Sequence, residues 1–295
     1  MKHLGRKTVA GVPILWLFVL FAVPFIIVLK ISFSEVRLAM PPYAPLFESQ
    51  YGKPVALQLH LANYTFLFTD PLYIRSYLYS VQVAAVSTIL CLLIGYPMAY
   101  AIARSTPTTR NVLLMLIVLP FWTSFLLRVY AWIGLLKNNG VINNVLMYLG
   151  VIHEPLTLLQ TDFAVYIGIV YSYLPFMILP LYSNLEKHDV TLLEAAADLG
   201  ASPFTAFRRI TLPQSLPGIA AGSLLVFIPA VGEYVIPSLL GRTDQLMIGR
   251  VLSDEFFENR DWPVASAVAI LMLLLLVVPI VLFQRLERRE VGTHK

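Results

Sequence analysis

The chain has 295 residues, of which 58% are hydrophobic and only 13% charged, with a mean hydropathy of +0.75 and a net charge of +4. That balance excludes a water-soluble globular protein and places nearly the whole chain in a bilayer. The basic excess forms no dense, aromatic-interleaved surface, so it speaks against nucleic-acid binding.

A hydrocarbon layer of about 30 Å needs about 20 apolar residues at about 1.5 Å each, so charge-free stretches mark the spans. Six occur in chain order: Lys7 to Lys30, Arg75 to Arg104, Arg110 to Lys137 interrupted only by Arg128, Asp162 to Glu186, Arg209 to Glu233 continuing to Leu240, and Asp261 to Arg285. The expected fold is an all-α polytopic membrane protein with six transmembrane helices. The first stretch exceeds the apolar core of a signal peptide, and no small-x-small cleavage site precedes Glu35, so it reads as an uncleaved span. The loop from Ser32 to Arg75 contains Met40-Pro41-Pro42-Tyr43-Ala44-Pro45, whose prolines exclude a continuous helix. It reads as a cap over the outer mouth.

Cys91, the sole cysteine, falls inside the second span and reads as a small core residue. Pro97, Pro120, Pro175, Pro180 and Pro229 also fall inside spans, where each removes one helical hydrogen bond. Kinked helices around a cavity and kinks that only shape packing both fit. After the third span, Asn138-Asn139-Gly140 and Asn143-Asn144 carry turn chemistry ahead of the mildly amphipathic Val145 to Val151.

A polar island separates the fourth and fifth spans. Thr191 stands three residues before Glu194, the spacing of a capping box. Gly200 suits the left-handed ending of that helix, Ser202 and Pro203 suit the start of a second one, and Pro213 is expected to stop it. Lys and Arg residues set the orientation, since positive loops resist translocation. Lys2, Arg6, Lys7, Arg104, Arg110, Lys187, Arg208, Arg209, Arg285, Arg288, Arg289 and Lys295 share one side. That side reads as the cytoplasm, with both termini inside.

Glu233 and Arg128 are ionisable groups within spans, which usually face a cavity or a partner. Glu233 sits between Pro229 and Pro237 beside Gly232, where a disturbed helix turns a carboxylate toward a path; an ion pair with Arg128 is the alternative. Trp122, Tyr130, Trp132, Tyr171, Tyr173 and Tyr234 offer ring faces for an organic cation, or else form an interfacial belt. Asp244, Asp254, Glu255, Glu258 and Asp261 add negative charge to the loop before the last span, where they serve a cation, a partner or solvation. No G-x-x-x-x-G-K-[ST], H-E-x-x-H or G-x-S-x-G occurs, and Gly52-Lys53 lacks the context of a phosphate loop. No catalytic residue, metal ligand or nucleotide site is expected on this chain.

From Glu194 onward, the pattern Glu-Ala-Ala, three residues, Gly, nine residues, Ile, one residue, Leu-Pro resembles the cytoplasmic motif of binding-protein-dependent ABC importer permeases. It matches at Glu194, Ala195, Ala196, Gly200, Ile210, Leu212 and Pro213. The resemblance implies a type I importer permease in which the island is the coupling helix pair that docks on an ATPase subunit. Ser124 to Trp132, Leu136 to Gly140, Phe227 to Gly241 and Asn259 to Pro263 further resemble polyamine importer permeases, those for putrescine most closely.

That likeness implies putrescine moving from periplasm to cytoplasm across a bacterial inner membrane. The implied partners are a second permease subunit in a heterodimer, an ATPase dimer holding ATP and magnesium, and a periplasmic polyamine-binding protein. It divides the chain into 1–75 (tail, first span and periplasmic loop), 76–285 (transmembrane domain, with the coupling segment at 186–213) and 286–295 (cytoplasmic tail). An ABC permease for another small cation or an amino acid remains open, as does a secondary transporter or channel.

Overall fold

A computed structural model describes residues 2–45, 47–48, 56–57 and 59–293, with side chains described for 11–45 and 59–281. The side chains of Lys2, Arg6, Lys7, Arg285, Arg288 and Arg289, together with Gly52, Lys53 and Lys295, lie outside the described residues. Among the described residues the regular structure is helical except for two short strands, β1 (Phe47–Glu48) and β2 (Ala56–Leu57), paired antiparallel with Phe47 opposite Leu57. The helices up to the fourth expected span are α1 (Lys2–Ser32), α2 (Ala62–Thr69), α3 (Pro71–Ala103), α4 (Pro107–Val118), α5 (Phe125–Leu136), α6 (Val141–Tyr148) and α7 (Asp162–Leu185). There follow α8 (Thr191–Asp198), α9 (Pro203–Ala206), α10 (Leu212–Gln214), α11 (Leu216–Val231), α12 (Val235–Leu240), α13 (Ile248–Ser253) and α14 (Trp262–Thr293).

Local chemistry sets many of the starts. The Asp70 carboxylate accepts the Leu72 N–H at 2.8 Å with Pro71 opening α3, Thr161 Oγ1 accepts the Ala164 N–H at 3.3 Å ahead of α7, and Asp261 accepts the Val264 N–H at 3.0 Å in the first turn of α14. Each supplies an acceptor to an N–H that the helix leaves without a partner.

Among the described residues four helices are long and apolar enough to cross a membrane: α1 over Gly11–Ser32, α3, α7, and α14 over Trp262–Val281. Two bent pairs bring the number to six where each pair counts as one crossing. The third expected span is therefore not a single helix: Pro107–Trp122 and Phe125–Tyr148 meet at 91°. Pro120 has no N–H for the Leu116 carbonyl and its ring crowds that carbonyl, so the chain leaves the α-helix through a 3-10 turn, Leu119–Trp122. The Thr123 N–H and hydroxyl then both donate to the Pro120 carbonyl, at 3.2 and 2.8 Å. Asn143 and Asn144, expected in a turn, lie within α6, and buried Asn143 bonds both the N–H and the carbonyl of Leu156. By contrast, Pro97, Pro175, Pro180 and Pro229 lie inside continuous helices.

The chain forms two compact units, one of residues 1–75 with 251–276 and the other of 76–250 with 277–295. In the first, the Asn63 side-chain amide donates to the carbonyls of Ser32 and Ser34 at 2.9 and 2.8 Å, and Ser32 Oγ bonds the Tyr64 hydroxyl at 2.8 Å, fixing α2 to the end of α1. Trp262 stacks on Phe256 with ring centroids 4.9 Å apart, and the Tyr73 hydroxyl donates to Glu255 at 2.7 Å.

In the second unit, Cys91, Ala99 and Ile102 of α3 pack with Met177, Ile178, Leu181 and Leu185 of α7 and Val226 of α11. The fully buried Cys91 is the small core residue expected of it. Helices α7 and α11 approach closely at Gly222, where an added Cβ would lie 2.8 Å from Met177 Sδ and 3.1 Å from the Met177 carbonyl oxygen. Gly222→Leu should therefore overpack this contact and cost about 1–3 kcal/mol. The expected outcome is a lower melting temperature of the detergent-solubilised protein, with Gly222→Ala falling between it and the wild type.

Candidate functional site

Two regions of the second unit carry the candidate residues: the polar segment 186–213, and a break in the fifth expected span around Glu233.

The polar segment folds as a short helix, a tight turn and a second helical run. The Thr191–Glu194 capping box does not form. Helix α8 starts at Thr191 itself, and the Asp189 carboxylate accepts the Thr191 N–H at 2.9 Å, taking the capping place from two residues earlier than expected. These hydrogen bonds hold the Asp189 carboxyl below the usual carboxylate range.

At the other end Gly200 adopts φ +80°, with its N–H on the Ala197 carbonyl at 2.8 Å and the Ala201 N–H on the Ala196 carbonyl at 2.9 Å. Those two bonds are a Schellman ending, which satisfies carbonyls the helix cannot. Ser202 Oγ accepts the Thr205 N–H at 3.3 Å, and Pro203 opens α9.

Pro213 does not stop the second helix. A π-turn over Phe207–Thr211 precedes it, and Pro213 sits near the start of α10, where no N–H is needed. The run ends at Ser215, and Pro203–Gln214 meets Leu216–Val231 at 62°.

Glu194, Ala195 and Pro213 are exposed, whereas Ala196, Ile210 and Leu212 are half-buried. Leu199 and Phe204 present large apolar surface at 89% and 72% exposure. Phe207 anchors the inner side: its ring stands edge-on to Tyr96 and Tyr100 of α3, with centroids 5.7 and 6.4 Å away. The Tyr96 hydroxyl also bonds Ser215 Oγ at 2.9 Å. Nothing in the sequence motif pointed to this aromatic anchor.

Arg110, at the start of α4, forms an ion pair with Glu186 at the end of α7 and reaches the carbonyls of Ala103 and Ser105 at 3.4 Å each. His188 follows, with its Nε2 buried and unpaired. Burial pushes its pKa below 6.5, Arg104 adds to that shift, and a hydrogen bond to the Gln214 backbone opposes it.

At the second region, α11 ends at Val231 and α12 restarts at Val235. The buried Glu233 carboxylate spans the gap. One oxygen accepts the N–H groups of Val235 and Ile236 at 3.1 and 3.3 Å, and the other accepts the Tyr173 hydroxyl. The alternative ion pair with Arg128 is not what holds it. Arg128 lies over the rings of Phe121 and Phe125, 5.5 and 5.7 Å from their centroids.

Phe121 packs on Phe176 at 5.3 Å, and Phe176 on Tyr173 at 6.1 Å. The two opposite charges are thus joined by a file of rings rather than by contact. Of the other candidates, Tyr171 stands edge-on to Trp132 at 5.6 Å, while Trp122, Tyr130 and Tyr234 are exposed at 78%, 55% and 43%. Phe121 and Phe176 were missed in the sequence because nothing polar marks them.

The model of the family "binding-protein-dependent transport system inner membrane component" matches residues 91–291. The spermidine/putrescine transport system permease protein PotB of Haemophilus influenzae is 40% identical over 96% of this chain and 94% of its own length. PotB of Escherichia coli is 42% identical over 79% of this chain and 85% of its own. Among solved structures, a bacterial ABC transporter that imports the acidic polysaccharide alginate superposes with a TM-score of 0.69 at 18% identity, covering 98% of both chains. The MetNI methionine ABC transporter in inward-facing form matches with a TM-score of 0.57 at 17% identity over 74% of this chain and 95% of that one.

Two outcomes are expected at these sites. Tyr173→Phe leaves one Glu233 oxygen without its donor, which should cost about 1–3 kcal/mol and show as a lower melting temperature. His188 favours its neutral form in the fold, so the stability linked to it is complete above 6.5 and falls as pH drops through the window beneath. Protection of amides in segment 186–215, corrected for the slower intrinsic exchange at lower pH, should therefore decline as pH falls below about 6.5, and less so in His188→Gln.

Proposed function

The chain belongs to the family of binding-protein-dependent transport system inner membrane components, and from that premise we propose that it is a membrane-spanning subunit of an ATP-driven polyamine importer, with putrescine as a cargo. The observation that carries this reading is the 40% identity to a spermidine/putrescine permease across 96% of the chain. Its partners in the proposal are a second, related permease, a dimer of ATPase subunits that binds ATP and magnesium, and a soluble periplasmic polyamine-binding protein. The complex sits in a bacterial inner membrane with both termini of this chain in the cytoplasm, as the distribution of Lys and Arg suggests.

In this reading Glu194, Ala195, Ala196, Gly200, Ile210, Leu212 and Pro213 belong to the segment that meets the ATPase. Exposed Leu199 and Phe204 supply apolar surface for a cleft in the partner. Phe207, held between Tyr96 and Tyr100, passes displacement of the segment into α3, and Ser215 passes it into α11. Closure of the ATPase dimer on ATP then tilts these helices, so that access to the path alternates between the two sides.

The cargo carries separated ammonium groups on an alkyl chain. Such a cation is attracted by ring faces and by a carboxylate without being trapped in one tight pocket. The exposed rings of Trp122, Tyr130, Tyr171 and Tyr234 are the proposed stepping surface. Glu233, backed by Tyr173, supplies negative potential beside Tyr234.

Uptake of labelled putrescine into proteoliposomes holding the complete complex tests the proposal. Uptake should require ATP and the binding protein and should be competed by spermidine. Uptake without ATP would favour a secondary transporter, and indifference to both polyamines would remove the assigned cargo. Gly200→Val, which forces a branched side chain onto a left-handed backbone, should uncouple ATP hydrolysis from uptake by at least about tenfold, a loss of about 1.4 kcal/mol in coupling. Normal coupling in that variant would remove the docking role from the segment.

A further inference from the structure

The Glu233 N–H donates to the Ala230 carbonyl of α11 at 3.3 Å, but the Glu233 carbonyl is not held by α12. Residue 237 is proline, so the Glu233 carbonyl has no N–H four residues on to receive it. What lies against this carbonyl is the start of α13. An added Cβ on Gly249 would fall 2.5 Å from the Gly232 carbonyl oxygen and 2.8 Å from that of Glu233, distances that real Cβ atoms do not show. The obstructing atoms are backbone, so no side-chain rotation would relieve the contact.

The covering segment is itself fixed. Met247 and Ile248 are fully buried, and the Ile248 N–H donates to Ser80 Oγ of α3 at 2.8 Å. The chain around residue 249 thus presses on the break from a defined height, with the Ser80 hydroxyl as its peg.

We propose that Gly249 is a positioning residue for transport. Its missing side chain allows the segment 247–249 to seat on the carbonyls of residues 232 and 233. That seating sets where the Glu233 carboxylate stands relative to Tyr173 and to the ring of Tyr234. A methyl group at 249 lifts the segment or pushes the break away, and the carboxylate moves with its own backbone. Displacements of about 1 Å in a positioned group can cost about a hundredfold in rate, so a small movement is enough to be read in transport.

The inference rests on the reading of Glu233 as part of the cation path. The test therefore uses the complete complex in proteoliposomes, with labelled putrescine and labelled spermidine as probes and with Gly249→Ala, Ser80→Ala and Glu233→Gln in parallel. Gly249→Ala should raise the KM for uptake by about tenfold or more and alter the putrescine-to-spermidine ratio, with ATP hydrolysis still stimulated by the loaded binding protein. Ser80→Ala should move KM and the ratio in the same direction by a smaller factor, since it removes the peg without adding bulk.

Wild-type KM and ratio in Gly249→Ala overturn the inference. If Gly249→Ala does not assemble, Ser80→Ala decides, and wild-type values there overturn it equally. A changed Vmax with unchanged KM and ratio also counts against positioning, because a general loss of stability lowers the amount of active complex and not its selectivity. Glu233→Gln separates the two levels. Impaired uptake in Glu233→Gln with wild-type Gly249→Ala removes only the positioning role. Undiminished uptake in Glu233→Gln removes Glu233 from the path and the inference with it.

Discussion

Inside hydrocarbon a backbone N–H or C=O that leaves its helix has no water to turn to, and the breaks in this chain are built around that constraint. At the 3-10 turn before α5, the Thr123 hydroxyl and N–H converge on the carbonyl of Pro120. Before α11, the Ser215 N–H reaches the carbonyls of both Thr211 and Leu212, and its hydroxyl is shared with Tyr96. At the third break the carboxylate of Glu233 takes the first free N–H groups of α12. Each solution uses a side chain within a few residues of the opening. The backbone groups freed at each bend are therefore satisfied in part locally.

The third solution has an electrostatic side effect. A hydroxyl would have capped α12 without adding charge, whereas a carboxylate does both. Its partner Tyr173 comes from α7, so breaking the span and joining it to its neighbour are one act. Helix α11 connects this place to the polar segment. Its 16 residues make a rod of about 24 Å, with Ser215 at one end and Gly232 at the other. A helix packed against α7 through a glycine contact behaves as a stiff body, so displacement at one end is felt at the other without an added relay.

Much of this was legible in the sequence. Charge-free length located the spans, because the thickness of a bilayer is a fixed ruler, and Gly200, Ser202 and Pro203 declared their turn through backbone preferences that act within a few residues. The Thr191 box was misread because Asp189, two residues upstream, competes for the same N–H and no spacing rule ranks the two. Pro213 misled for a related reason: a proline stops a helix only when the preceding turn needs its N–H, and the π-turn before it removes the need. The Glu233–Tyr173 bond, the Phe207 anchor and the Gly249 contact join positions far apart along the chain. Such contacts depend on how helices are rotated about their axes, which a pattern of apolar residues broad enough for a membrane does not fix.

The left-handed backbone at Gly200 also has a genetic consequence. Every codon change that replaces glycine adds a Cβ, and at φ +80° that carries a strain of about 1–2 kcal/mol for an ordinary residue. Asparagine, which tolerates this conformation, lies more than one base change away from any glycine codon. Single-base drift at position 200 therefore leads mainly to residues that distort the turn. The turn between the two short helices is fragile to point mutation even though nothing within 4 Å would crowd a side chain there.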